Sequence, residues 1–145
     1  MKSHNKTNIK EKLKSFFLSK EEIIFGYLFG SVVNSDEYRD IDIAVCMKAI
    51  PDLMRQGKLQ SELNNLFEDK IDLVILNKLP NKNPAFAYEV VTKGELLFNK
   101  NPSVHTAYKS TALQYYFDTA YLRDQFEDAF SQRMTANKFG ERNYE

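Results

Sequence analysis

The sequence is poor in the residues that staple small folds together. A single cysteine, Cys46, in 145 residues excludes an internal disulfide framework and a cysteine-only zinc site. The two histidines, His4 and His105, make a poor zinc site, and both read as surface residues. Charge of one sign is not in excess. Lysine plus arginine and aspartate plus glutamate each total 20, for a formal net charge of zero. Such a chain is not a general polyanion binder, and no direct DNA binding is expected. No apolar run approaches the ~20 residues of a membrane span. The opening stretch MKSHNKTNIKEKLKSFF is lysine-rich but has no uninterrupted apolar segment. It does not read as a secretory signal, and the expected compartment is the cytoplasm. Tryptophan is absent, whereas tyrosine and phenylalanine number 8 and 11, and several of them crowd into the last third of the chain.

What remains is a chain long enough to bury a core without metal or disulfide staples. Lys10 to Phe17 reads as the end of a short amphipathic helix, with Leu13, Phe16 and Phe17 on one side. Ile23 to Phe29 is a continuous apolar run ending at Gly30, which predicts a strand buried on both faces. Ser31 to Asn34 reads as a short helical turn and Glu37 to Arg39 as loop. Ile41 to Met47 predicts a second strand. Pro51 to Phe67 predicts a helix, with Pro51 in its first turn and Leu53, Met54, Leu59, Leu63, Leu66 and Phe67 at helical spacing. Ile71 to Leu76 predicts a third strand. Lys78 to Pro84 reads as loop, and Phe86 to Thr92 as a helix stopped by Gly94. Leu96 to Phe98 predicts a short fourth strand, and Pro102 to about Arg133 one long helix. The fold class is therefore α/β (α+β): a small mixed sheet of three to four strands flanked by helices.

Aspartates interrupt this pattern where strands should be apolar. Asp40 and Asp42 point to the same face of the second strand, with Cα atoms about 7 Å apart. Asp72 lies inside IDLVIL, at the mouth of the third strand. If these strands are neighbours, three carboxylates converge. The alternative is that Asp40 caps a strand end while Asp42 and Asp72 face solvent. From Asp36 to Asp42 four acidic residues stand against one basic residue, Arg39, so local arginine pairing cannot neutralise the set. A convergent group of carboxylates must protonate or take up a cation. Oxygen-only ligands suit magnesium, and two such ions clamp the attacking and leaving oxygens of a phosphoryl displacement. Gly30 and Ser31 follow a buried strand and open a short helix, a setting in which backbone N–H groups attract anions and glycine permits close approach.

The series LFGSVVNSDEYRDIDIAV followed by IDLVIL resembles the nucleotidyltransferases of the DNA polymerase beta superfamily. More narrowly, it resembles the minimal nucleotidyltransferases called MNT proteins, over about Ile23 to Leu76 and again at GELLF. The resemblance implies that Gly30 and Ser31, with Asn34 beside them, hold the triphosphate of ATP. It implies that Asp40 and Asp42 bind two Mg2+ ions, and that Asp72 completes one metal site and helps deprotonate the acceptor hydroxyl. Asn34 and Ser35 stand where the family often has Arg-Gly, and the loop to Asp40 is shorter than usual. Arg39, Lys48 and Lys78 are the candidates for the missing positive charge. Many MNT proteins are antitoxins encoded beside a HEPN-domain toxin, so the resemblance implies transfer of AMP to that partner. Two alternatives stand beside this reading: a non-catalytic antitoxin that acts by occlusion, and a small-molecule nucleotidyltransferase.

The expected organisation is a nucleotidyltransferase core over 1–100, a C-terminal helix over 101–133 packing on the core or a partner, and a flexible tail over 134–145. In that helix Val104, Tyr108, Thr111, Tyr115, Thr119, Leu122, Phe126 and Ala129 form one stripe, and Leu113, Phe117 and Tyr121 a second. One stripe can dock on the sheet, and a second has less to bury against, so Tyr115 to Phe130 is expected to bind a partner protein or form a homodimer, or else both lines belong to the core. Cys46 shares the parity of Asp40 and Asp42 and reads as a buried structural residue.

Overall fold

The computed structural model describes residues 6–34 and 40–140. The elements run α1 (Lys6–Leu18), β1 (Ile23–Phe29), α2 (Ser31–Asn34), β2 (Asp40–Met47), α3 (Leu53–Leu66), β3 (Lys70–Ile75), α4 (Leu79–Lys82), α5 (Pro84–Lys93), β4 (Glu95–Asn99) and α6 (Pro102–Gly140). The four strands form one mixed sheet in the order β3-β2-β1-β4. β1 pairs antiparallel with β2 and β4, and β2 pairs parallel with β3. Parallel neighbours need a crossover, and α3 supplies it. No helix among the described residues is long and apolar enough to cross a membrane.

Both faces of the sheet are covered, which is why β1 reads as an unbroken apolar run. On one face, Ile9, Leu13 and Phe17 of α1 and Leu59 and Leu63 of α3 pack with Ile41, Ile43, Val45 and Ile71. On the other, Val90 of α5 and Val104 and Tyr108 of α6 pack with Phe25, Tyr27, Ala44, Cys46 and Leu76. Each fully buried leucine or isoleucine contributes about 1.5–3 kcal/mol. Lys100 ties α1 to the sheet: its ammonium donates to the carbonyls of Phe17 (2.9 Å) and Lys20 (2.7 Å), satisfying the open end of that helix.

Several expected features are corrected. α3 starts after Pro51, because the Asp52 carboxylate accepts from the Arg55 N–H at 2.8 Å and caps it. Its periodic stripe is only half used: Leu59 and Leu63 are buried, whereas Leu53 and Met54 are 83% and 86% exposed. The stretch expected as loop holds α4 and the start of α5. Its prolines sit in the first turns of these helices, where a missing N–H costs nothing. The Asn83 side chain caps α5 by accepting from the Phe86 N–H at 3.2 Å. α6 runs to Gly140 rather than Arg133, because no glycine or proline interrupts residues 103–139.

His105 is not a surface residue. It is 6% exposed and lies against the rings of Phe25 and Tyr27. Asn99 faces its Nδ1 at 3.2 Å, and the Tyr27 hydroxyl meets its Nε2 at 2.6 Å. The Asn99 carbonyl oxygen accepts from the Asn101 N–H at 3.1 Å, leaving the Asn99 amide to donate to Nδ1. The ring is then neutral with its proton on Nε2. Burial, with the Lys109 charge adding to it, lowers the His105 pKa. His4 lies outside the described residues.

The docked side of α6 also differs from the expected stripe. Val104, His105, Tyr108, Ala112, Leu113 and Tyr116 turn inward to varying degrees, while Thr111 faces solvent. Tyr115, Phe117 and Leu122 are 40%, 60% and 64% exposed. The Tyr108 hydroxyl donates to the Leu76 carbonyl at 2.7 Å, and the buried His105 draws the docked side around the helix from the stripe that hydropathy alone selects. The side chains of Tyr121, Phe126 and Ala129 lie outside the described residues.

Candidate active site

Alternation along β2 sends Ile41, Ile43, Val45 and Met47 to the α1/α3 face, so Asp40 and Asp42 share the opposite face with Ala44 and Cys46. On β3, Ile71 and Leu73 pack toward α1 and α3, which sends Asp72 to the same face as Asp42. The parallel register sets Asp42 beside Asp72, and Asp40 beside Lys70. Adjacent strands lie about 4.8 Å apart, so the carboxyl groups of Asp42 and Asp72 come within hydrogen-bonding reach. All three aspartates are thus on one face at one end of the sheet.

Gly30 closes this site from β1, where Phe29 pairs with Asp42. Its φ is +80°, in the left-handed region that favours glycine. A Cβ at position 30 would overlap the Asp42 Oδ2 atom. Gly30 is therefore needed twice, for its backbone and for the space it leaves the carboxylate. Ser31 is exposed at the first position of α2, and the Val33 N–H donates to the Gly30 carbonyl at 3.1 Å. The side chain of Asn34, and all of Ser35 and Arg39, lie outside the described residues.

Electrostatics mark Asp42 as the strained member. Burial, then the Asp72 charge and their hydrogen bond, then Asp40, raise its pKa; Lys70 opposes them. The Lys70 ammonium stands 4.0 Å from Asp72 on an exposed edge, a weak offset. As placed, no three carboxylate, histidine or cysteine side chains among the described residues stand close enough to hold an ion. Asp42 and Asp72 form the close pair, with Asp40 one alternation further along the face. An oxygen-only donor set that repels itself fits a hard divalent cation. Cys46 is buried, and burial pushes its thiol up to about 11, so it is neutral and unreactive.

Two of the three cations expected to serve the phosphates are misplaced. Lys48 follows the far end of β2, and Lys78 follows the far end of β3. Both therefore lie at the end of the sheet opposite the carboxylates. A cation that sequence spacing did not single out is nearer. Lys93 ends α5, and Gly94 packs on the Leu28 carbonyl, where a Cβ would lie 3.0 Å from that oxygen. Lys93 consequently lines a cavity of about 260 Å³ together with Phe29, Gly30, Phe86, Glu89 and Val90. Only the fold brings residue 93 to residue 30, so no local signal could have found it.

The polymerase beta, nucleotidyltransferase family pattern matches residues 11–103. Among solved structures, the chain is similar to a toxin–antitoxin MntA–HepT crystal structure at 21% identity. That match covers 86% of this chain and 98% of the other, with a TM-score of 0.68. A toxin–antitoxin structure with AMP-PNP matches at 23% identity and a TM-score of 0.68, covering 88% and 99% of the two chains. A third match is to a complex of tri-AMPylated Shewanella oneidensis HEPN toxin with MNT antitoxin, at 23% identity, coverage of 87% and 99%, and a TM-score of 0.66. These likenesses are of fold. No curated protein sequence matches the chain.

Proposed function

The chain belongs to the polymerase beta nucleotidyltransferase family, and from that premise we propose that it transfers AMP from ATP to a hydroxyl of a partner protein, with magnesium, as the antitoxin of a HEPN-domain toxin. The observation that carries this is the register of Asp42 beside Asp72, roofed by Gly30. Asp40, Asp42 and Asp72 would hold the magnesium, which when bound neutralises triphosphate charge and lowers the pKa of the acceptor hydroxyl. Asp72, whose side chain is 45% exposed, accepts the acceptor's proton. The freed oxygen bonds to the α-phosphorus as the bond to the β-phosphate oxygen breaks, and pyrophosphate leaves in line. Gly30 and Ser31 leave room for the phosphates at the end of β1. The similarity to toxin–antitoxin complexes, one of them with an AMPylated HEPN toxin, supports the partner and the nucleotide. The exposed Tyr115 and Leu122, two turns apart on one side of α6, are the face offered to that partner, with residues 1–100 as the catalytic core.

Incubation with magnesium, α-labelled ATP and the adjacent gene product should label that product. Asp42→Asn should abolish the label, and an equally active variant would refute the assignment. A second reading, inhibition by occlusion, is motivated by Asn34 and Ser35, which stand where the family often has Arg-Gly. That reading predicts toxin neutralisation by Asp42→Asn in cells.

A further inference from the structure

The cavity beside Gly30 is not used by the carboxylate chemistry, yet it shares a wall with it. Its interior is apolar, formed by Phe29, Phe86 and Val90. The rings of Phe29 and Phe86 meet edge to face, with centroids 5.6 Å apart. Its rim is charged, formed by the exposed pair of Lys93 and Glu89 at 3.6 Å. At about 260 Å³ it lies just below the ~300–1,000 Å³ typical of small-molecule sites, a size for one ring system and a sugar. An apolar slot with an aromatic wall suits a flat heterocycle. A cation at the mouth of a cavity that Gly30 also lines suits the phosphates attached to it.

We propose that the base and sugar of the nucleotide occupy this cavity, with Phe86 the ring on which the base rests and Lys93 the cation that meets the phosphates at Gly30. This rests on the transferase reading above. In the free protein Lys93 is held by Glu89, one turn back on α5. The ammonium is exposed and flexible, so an incoming polyphosphate can draw it from a weak surface pair. Stacking is indifferent to base identity. The cavity therefore favours a nucleoside triphosphate over bare polyphosphate, rather than one purine over another.

Titration calorimetry of the full chain with magnesium tests this, using AMP-PNP and inorganic tripolyphosphate as probes. Wild-type protein should bind AMP-PNP about tenfold or more tightly than tripolyphosphate, the increment that one stacked base supplies. Phe86→Leu should erase that preference and leave tripolyphosphate binding unchanged. Lys93→Met, at an exposed position without a packing role, should weaken both ligands. Equal binding of the two probes by wild-type protein overturns the base seat without needing any variant, as does a Phe86→Leu variant that keeps the preference. Unchanged binding of both by Lys93→Met overturns the role of Lys93. Binding of neither probe by wild-type protein overturns the transferase reading itself.

Discussion

Replacing Asp42 with asparagine should stabilise the protein while it removes the proposed activity. Side chains paired across neighbouring strands, as Asp42 and Asp72 are, stand about 5 Å apart, and two like charges at that separation repel by about 3 kcal/mol at an effective dielectric of ~20. The Asp72 side chain is 45% exposed, and Lys70 stands 4.0 Å from it. Solvent screening and that partial pairing leave about 1–2 kcal/mol of net strain. Asparagine has the same shape, keeps the Gly30 contact, and can donate its amide to Asp72. For a domain near 150 residues, 1 kcal/mol moves the melting temperature by about 2–4 °C, so the variant should melt about 2–8 °C higher. The assay is scanning calorimetry in chelator at low ionic strength. Adding magnesium should raise the wild-type melting temperature by mass action and should move the variant much less. Added salt without magnesium should narrow the gap, because screening weakens the repulsion. A variant that melts at or below wild type in chelator would show that Asp42 and Asp72 do not repel, and the proposed metal site would lose its physical basis.

Three further outcomes follow from the same structure. Gly30→Ala should cost about 1–2 kcal/mol for a left-handed alanine, plus displacement of the Asp42 carboxylate; calorimetry reads the first and partner labelling the second. The lowered pKa of His105 makes the unfolded chain the stronger proton binder, so stability should be full above the unfolded pKa of ~6.5 and should fall as pH drops below it toward the folded value. Urea midpoints at pH 7.5 and 5.5 should differ accordingly, and by less in a His105→Gln variant. Leu122→Ser should leave the melting temperature within about 2 °C, as exposed positions do, while weakening capture of the toxin partner in a pull-down.

The strands were legible because their signals are local. The apolar run of β1 matches Ile23–Phe29 to the residue, and the period-two alternation of β2 places Asp40 and Asp42 together without knowledge of the fold. That β2 and β3 are neighbours was a conditional in the sequence and a register in the structure. The failures share a cause. Leu53 and Met54 of α3, and Thr111 and Tyr115 of α6, are apolar or periodic but exposed, because helix rotation is set by what the helix meets. On α6 that partner is the buried polar set of His105, Asn99 and Tyr27, which no hydropathy pattern encodes. Lys48 and Lys78 are close in sequence to the aspartates, yet the strands carry them to the far end of the sheet. Lys93 is distant in sequence and near in space.

The crossover through α3 separates the two halves of the carboxylate pair by thirty positions, from 42 to 72. A chain still leaving the ribosome owns Gly30 and Asp42 long before β3 exists to face them. Sliding β3 by a single residue would swap Asp72 for an isoleucine or leucine and disarm the centre. Competence for chemistry is therefore a report on completed topology: an unfinished or misthreaded copy has nothing with which to act.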